Sequence, residues 1–120
     1  MMMQDFRNLR VWEKAHALTL DVCRATQGFP REEQYGLTSQ LRRSCASVPA
    51  NLAEGCARTS DVDFARFVNH AASSASETDY HLLLARDLTY LDSNLHQPLF
   101  ERISEVKRML NSFEQTLRNG

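Results

Sequence analysis

The chain has 120 residues, a length typical of one domain with one core. Its net charge of −1 lacks the basic excess that is usual in nucleic-acid-binding proteins. No apolar run approaches the ~20 residues of a membrane span, and the opening MMMQDFRNLR has no apolar signal-peptide segment. We therefore expect a single cytoplasmic domain over residues 1–120, with no membrane partner.

Few glycines and prolines interrupt the chain, and this favours long helices over strands joined by many turns. The first predicted helix begins near Asn8, a good cap, and ends around Gln27 and Gly28. Its apolar face consists of Val11, Ala15, Leu18 and Val22. In the following connection, GFPREEQYG, the aromatic rings of Phe29 and Tyr35 are predicted to pin the loop over the bundle.

The second predicted helix begins at Arg31 or Leu37 and ends near Ala57. Pro49 lies inside it and removes one backbone donor, so we expect a bend just before this residue. The apolar stripe continues in phase across the proline, which favours one kinked helix over two. That stripe consists of Leu37, Leu41, Cys45, Val48, Leu52 and Cys56.

The third predicted helix starts after Ser60, which forms a capping-box-like pair with Asp63. Its main face consists of Phe64, Val68, Ala71, Ala75, Thr78, Leu82, Ala85 and Leu88 or Thr89. A second set on the opposite side consists of Ser73, Tyr80, Leu84 and Leu91. A helix with two such faces is buried on both, so the pattern predicts self-association.

The last predicted helix runs from about Gln97 to Leu117, with Pro98 in its first turn. Its apolar stripe consists of Leu99, Ile103, Val106, Leu110, Phe113 and Leu117. Short connections favour antiparallel neighbours. The predicted fold class is therefore all-α, an antiparallel up-down-up-down four-helix bundle with a proline-kinked second helix.

A line of polar residues, here called the α2 stripe, follows the second predicted helix beside its apolar face. At about 100° per residue these side chains share one sector; they are Gln40, Arg43, Ser47, Asn51, Glu54 and Arg58. A solvated face with one ion pair is the simple explanation. The stripe has few of the Lys and Glu residues of such faces, however, and Ala50 lies beside it. We predict that it lines a subunit contact or a central channel, where each buried polar atom needs a partner.

The run FPREEQYGLTSQLRRSCASVPANLAEG, the following ART-S, the F-x-x-F pair and ASSASET closely resemble a bacterial four-helix-bundle family associated with 23S rRNA intervening sequences. Upstream, FRNLRVWEKAHAL is similar to the opening helix of that family, so the resemblance covers roughly residues 6–118. It implies a homopentamer, a ring with a central channel. It also implies kinship with the accessory variability determinant of diversity-generating retroelements, which works with a reverse transcriptase and binds nucleic acid.

The sequence is compatible with three functions. The first is a non-catalytic oligomeric scaffold that binds RNA, DNA or a nucleoprotein, with phosphate contacts from Arg42, Arg43, Arg58 and Arg66. The second is a protein-interaction or structural ring without a nucleic-acid ligand, which the near-neutral charge favours. The third is a small helical ribonuclease using Arg66 and His70, although this spacing is one residue shorter than the Arg-x4–6-His motif of HEPN-type nucleases. We favour the first function and predict no enzyme activity.

The sequence predicts no cofactor, metal ion or small-molecule substrate. The histidines are dispersed and do not have metal-ligand spacing; they are His16, His70, His81 and His96. No Gly-rich phosphate loop occurs. The three cysteines are predicted to be small buried hydrophobic residues rather than a disulfide framework; they are Cys23, Cys45 and Cys56.

Overall fold

A computed structural model of the chain describes residues 5–120. Its four α-helices are α1 Arg10–Ala25, α2 Leu37–Cys56, α3 Asp61–Asp87 and α4 Ser93–Asn119. Short 3-10 turns occur at Phe6–Asn8, Thr26–Gly28 and Arg31–Glu33. No strand occurs in the described range, so the predicted all-α fold class is confirmed.

In each pair of neighbouring helices, the contacting residues follow one another in opposite order along the two helices. Ser44 of α2 bonds to Thr78 of α3, whereas Ser47, further along α2, bonds to Ser74. Between α1 and α2 the same reversal is seen in the pairs Thr19–Cys45 and Cys23–Arg42. Between α3 and α4 it is seen in Asn69–Glu114 and Asp79–Lys107. Between α1 and α4 it is seen in Lys14–Glu105 and Asp21–Arg102. Each helix therefore runs opposite in direction to the neighbours that it contacts in these pairs.

The apolar stripes of the four helices meet in one core. Every predicted apolar position of α2 is buried, from Leu37 to Cys56, and so is the main face of α3 from Phe64 to Ala85. In α4 the stripe is buried except for Phe113, which packs against the core at its edge. Burial of these side chains is the main favourable term that holds the helices together.

The α2 helix continues through Pro49 as one element, as the phase of its apolar stripe predicts. The bend near the proline stays a prediction. Ser60 caps α3, since its hydroxyl accepts a hydrogen bond from the Asp63 amide at 3.1 Å. Among the described residues, none of the helices is long and apolar enough to cross a membrane.

Two predictions at helix starts were wrong. The helix α1 begins at Arg10, behind a 3-10 turn that the Asp5 carboxylate caps, so Asn8 is not its cap. The helix α4 begins at Ser93, because the Asp92 side chain accepts from the amide of Asn94. Pro98 therefore lies beyond the first turn of α4.

Two predicted side-chain environments were also wrong. Tyr35 is 90% exposed, and only Phe29 of that loop packs inward, against the Tyr90 ring. Leu91 is 3% exposed and belongs to the core. The chain leaves α3 at Asp87 and reverses at Thr89, where φ is 64°, and this turn folds Leu91 back into the bundle.

Candidate functional site

The α2 stripe lies along the seam between α2 and α3. Its central members, Ser47 and Asn51, are half-buried, and the other four are exposed. The Asn51 side-chain amide nitrogen donates to the Ser47 carbonyl oxygen at 2.8 Å and to the Ser47 hydroxyl at 2.9 Å. From α3, the Ser74 hydroxyl donates to the same Ser47 hydroxyl at 3.0 Å. The sequence-predicted stripe thus has a hydrogen-bonded centre that joins the two helices.

Short side chains surround this centre. Ala46 and Ala50 of α2 are exposed beside the stripe. The outward side of α3 carries an exposed row at spacings of three and four residues, here called the α3 row: Ser73, Ser76, Tyr80 and Leu83. Tyr80 is 57% exposed, the largest apolar exposure in this row. The α3 row thus adds an aromatic and an aliphatic side chain to the outward side of α3, where Leu83 lines a pocket with Phe100 of α4.

The two adjacent arginines of α2, Arg42 and Arg43, have different environments. Arg42 donates from Nε to the Thr26 hydroxyl at 2.7 Å and from Nη2 to the Cys23 carbonyl oxygen at 3.2 Å. It thus holds the end of α1 against α2 and satisfies a terminal helix carbonyl. Arg43 is exposed, and no hydrogen bond or ion pair to it occurs within residues 5–120.

The other two predicted phosphate contacts meet at the start of α3. The guanidinium carbons of Arg58 and Arg66 lie 4.6 Å and 5.6 Å from the centroid of the Phe67 ring. Arg58 also pairs with Glu54 at 3.2 Å, and Arg66 with Asp63 at 3.5 Å. These carboxylates reduce the positive charge that a nucleic acid would meet. Sequence reasoning missed Phe67, although its spacing from the core residue Phe64 places it at the rim of the same face.

Arg66 and His70 do not form a connected pair. Arg66 bonds to Asp63, whereas the His70 ring contacts the Phe67 ring edge-on at 5.8 Å. Both side chains are exposed. In the described part of the chain, no hydrogen bond joins the arginine to the histidine.

The cysteines have the environments of packing residues rather than of reactive groups. Burial raises the pKa of the Cys45 thiol to about 11, and burial also raises the pKa of Cys56. Cys23 is half-buried, and all three thiols are free. Over residues 5–120, no group of three or more potential metal ligands comes together.

Comparison with known proteins gives a family match. The model of the 23S rRNA-intervening sequence protein family matches residues 7–112. Among solved structures, the chain is similar to a protein of unknown function from the S23 ribosomal protein family of Bacteroides thetaiotaomicron. Identity is 22%, the match covers 87% of this chain and 97% of that chain, and the TM-score is 0.78. No curated protein matches the chain.

Proposed function

The chain belongs to the family of 23S rRNA-intervening sequence proteins, and we propose that it acts as a non-catalytic subunit of a homo-oligomeric helical scaffold. The subunit contact is formed by the α2 stripe and the α3 row. The family resemblance implies five copies around a channel. A repeated contact of one surface with a different surface of the next copy closes into such a ring.

The observation that carries this proposal is the half-buried centre formed by Ser47, Asn51 and Ser74. The Asn51 amide nitrogen already has two acceptors, whereas its side-chain oxygen has no partner within residues 5–120. An amide held in one orientation presents this oxygen to a donor on another copy at little entropic cost. The surrounding alanines and serines allow the backbone of that copy to come close.

Two further features support a second copy as the partner. Tyr80 and Leu83 give the outward side of α3 an exposed apolar surface, and tyrosine is enriched in protein interfaces. Arg43 is exposed without an acidic partner in the described chain, so a carboxylate of the neighbouring copy can pair with it. A helix face that contacts only water requires neither an exposed apolar surface nor an arginine without an acidic partner.

Light-scattering mass tests the assembly. The double variant Arg43→Glu, Asn51→Leu places a reversed charge and an apolar group in the contact, so we expect it to dissociate. The matched control is Arg108→Glu, Asn111→Leu, which makes the same changes at exposed positions of α4 and should stay assembled. Circular dichroism checks that both variants keep their helices. A monomeric wild-type protein would refute the proposal.

Nucleic-acid binding by the assembled scaffold is the second candidate, and the contacts of Arg58 and Arg66 with the Phe67 ring favour it. An aromatic ring flanked by arginines can stack on a base while the cations contact phosphates. The test is RNA and DNA binding at rising salt, with Phe67→Leu as the variant. Binding through phosphates should weaken steeply with salt. An absence of binding even at low salt leaves the structural ring without a nucleic-acid ligand.

The proposal of a non-catalytic role has its own test. If Arg66 and His70 formed a ribonuclease centre, His70→Ala would abolish cleavage of RNA by the purified protein. We expect wild type and His70→Ala to give the same background, because Arg66 bonds to Asp63 and no hydrogen bond joins it to His70 within the described residues. A loss of cleavage in the variant would contradict the non-catalytic role.

A further inference from the structure

We propose that a pocket between the end of α1 and the start of α2 binds a phosphate oxyanion. The pocket has a volume of about 300 Å³. Its polar lining consists of two arginines, two threonines and two glutamines, and no carboxylate lines it in the described chain. It lies on the side of α2 that faces α1, whereas the α2 stripe borders α3. The proposal is therefore independent of the proposed assembly.

Arg42 is a donor that the fold has already oriented. Its bonds to the Thr26 hydroxyl and the Cys23 carbonyl use two of the five guanidinium N–H groups. The remaining three are available on a half-buried side chain that lines the pocket. A planar guanidinium held in this way suits an oxyanion, because little side-chain entropy is lost on binding.

Thr38 supplies a second, independent reason to expect a ligand. It is only 7% exposed and lines the pocket, yet within residues 5–120 no hydrogen bond to its hydroxyl occurs. Unlike the fully buried, unpartnered Nε2 of His96, the Thr38 hydroxyl oxygen keeps accessible surface, so it is open to a ligand in the pocket. Thr38 is also in the first turn of the 20-residue helix α2, where the helix dipole favours an anion; the Glu33 carboxylate accepts from the first amide of this helix, that of Leu37.

Arg31 adds the charge at the mouth of the pocket. It is exposed and has no acidic partner in the described residues. Two acidic residues are close in sequence, but Glu33 is turned away from the pocket. Its carboxylate accepts from the Leu37 amide at 3.1 Å and from the Tyr90 hydroxyl at 2.9 Å. Glu32 is exposed and does not line the pocket.

The number and the charge of these donors favour a phosphate over a carboxylate. Two guanidinium groups, the Thr38 hydroxyl and the side-chain amide of Gln34 line the same pocket. A phosphate has more acceptor oxygens and more charge than a carboxylate, and charge-assisted hydrogen bonds are the stronger ones. The phosphate can be a free phosphorylated small molecule or a phosphate of RNA, since both offer the same oxyanion.

A titration with inorganic phosphate at constant ionic strength, followed by amide NMR, tests the pocket. We expect chemical-shift changes centred on Thr38 and Arg42. Arg31→Gln and Thr38→Val should each weaken binding about tenfold or more, because each loses a hydrogen bond to a charged group. Neither side chain makes a hydrogen bond within the described chain, so the variants should stay folded. The control Arg10→Gln removes another exposed, unpaired arginine and should bind phosphate like the wild type.

The source of the phosphate is decided by comparing a nucleoside monophosphate with short RNAs that carry or lack a 5′-phosphate. Tighter binding of the phosphorylated RNA than of the monophosphate would identify an RNA phosphate, and the reverse order a small molecule. Either result supports the pocket if Thr38→Val weakens it. Shift changes spread over all arginines, equal binding by both variants and wild type, or acetate binding as tightly as phosphate would overturn the proposal.

Discussion

The Thr19 hydroxyl of α1 lies 3.3 Å from the carbonyl oxygen of Cys45 in α2. This carbonyl is four residues before Pro49, so the proline has removed the amide that would donate to it. The Thr19 hydroxyl also donates to the Ala15 carbonyl at 2.8 Å and therefore shares its proton between two helices. The neighbouring helix thus supplies a donor where the proline has left a gap.

Thr19→Val tests this compensation. The change keeps the shape of the side chain and leaves the buried Cys45 carbonyl without a donor, so the free energy of unfolding should fall by about 1–2 kcal/mol. Urea denaturation measures the difference. In a Pro49→Ala background the helix regains its own amide, and Thr19→Val should then cost less. Equal costs in the two backgrounds would mean that the threonine does not compensate for the proline.

Gly55 determines how closely α2 approaches α3. A Cβ atom at this position would lie 2.8 Å from Cδ1 of Phe64 and 3.0 Å from Cβ of Phe67. Helix propensity alone favours alanine over glycine by about 1 kcal/mol. We nevertheless expect Gly55→Ala to destabilise the protein by about 1–3 kcal/mol, because Phe64 is buried and cannot move without loss of packing.

Gly28→Ala is the matched control for that substitution. No atom lies within 4 Å of a Cβ placed at Gly28 in the described structure, and its φ is not positive. Thermal denaturation should therefore give a midpoint close to that of the wild type. A midpoint for Gly55→Ala at or above that of Gly28→Ala would show that the two helices have room to separate.

The sequence predicted the features that depend on local periodicity and missed those set by distant contacts. The stripe from Leu37 to Cys56 follows from the helical repeat, and burial confirms it. The placement of Leu91 depends on a left-handed Thr89 that no repeat predicts. Arg42 reads as a surface cation, since its partner Thr26 lies 16 residues earlier in the chain. The pocket beside Arg42 was not predicted from the sequence for the same reason, because the residues that line it come from both sides of the loop between α1 and α2.

His96 gives the fold a dependence on pH. The side chain is 4% exposed, and within the described residues its Nε2 has no hydrogen-bond partner. Burial lowers the pKa of this imidazole below its ordinary value of 6.5, and the charge of Arg86 acts in the same direction, against those of Asp79 and Asp87. Below pH 6.5 His96 therefore takes up a proton more readily in the unfolded chain than in the folded chain. Stability from this group is present above that pH and is lost as pH falls toward the folded pKa.

His96→Gln isolates this contribution. Chemical denaturation at about pH 7.5 and about pH 5.5 should show a smaller loss of stability in the variant than in the wild type. All other titratable groups are the same in both proteins, so only the difference between the two losses of stability reports on His96. A loss of the same size in the two proteins would show that protonation of this imidazole does not oppose folding.

The three thiols should differ in their reaction with iodoacetamide in the native protein. The thiolate is the reactive form, and burial raises the pKa of Cys45 to about 11 and that of Cys56 above its ordinary value. Cys23 is half-buried and should react first. Mass spectrometry of digested protein gives the labelling rate of each site, and labelling in denaturant serves as the control in which all three react. If Cys45 reacted as fast as Cys23 without denaturant, the seam between α1 and α2 would open far more often than its buried Thr19–Cys45 contact implies.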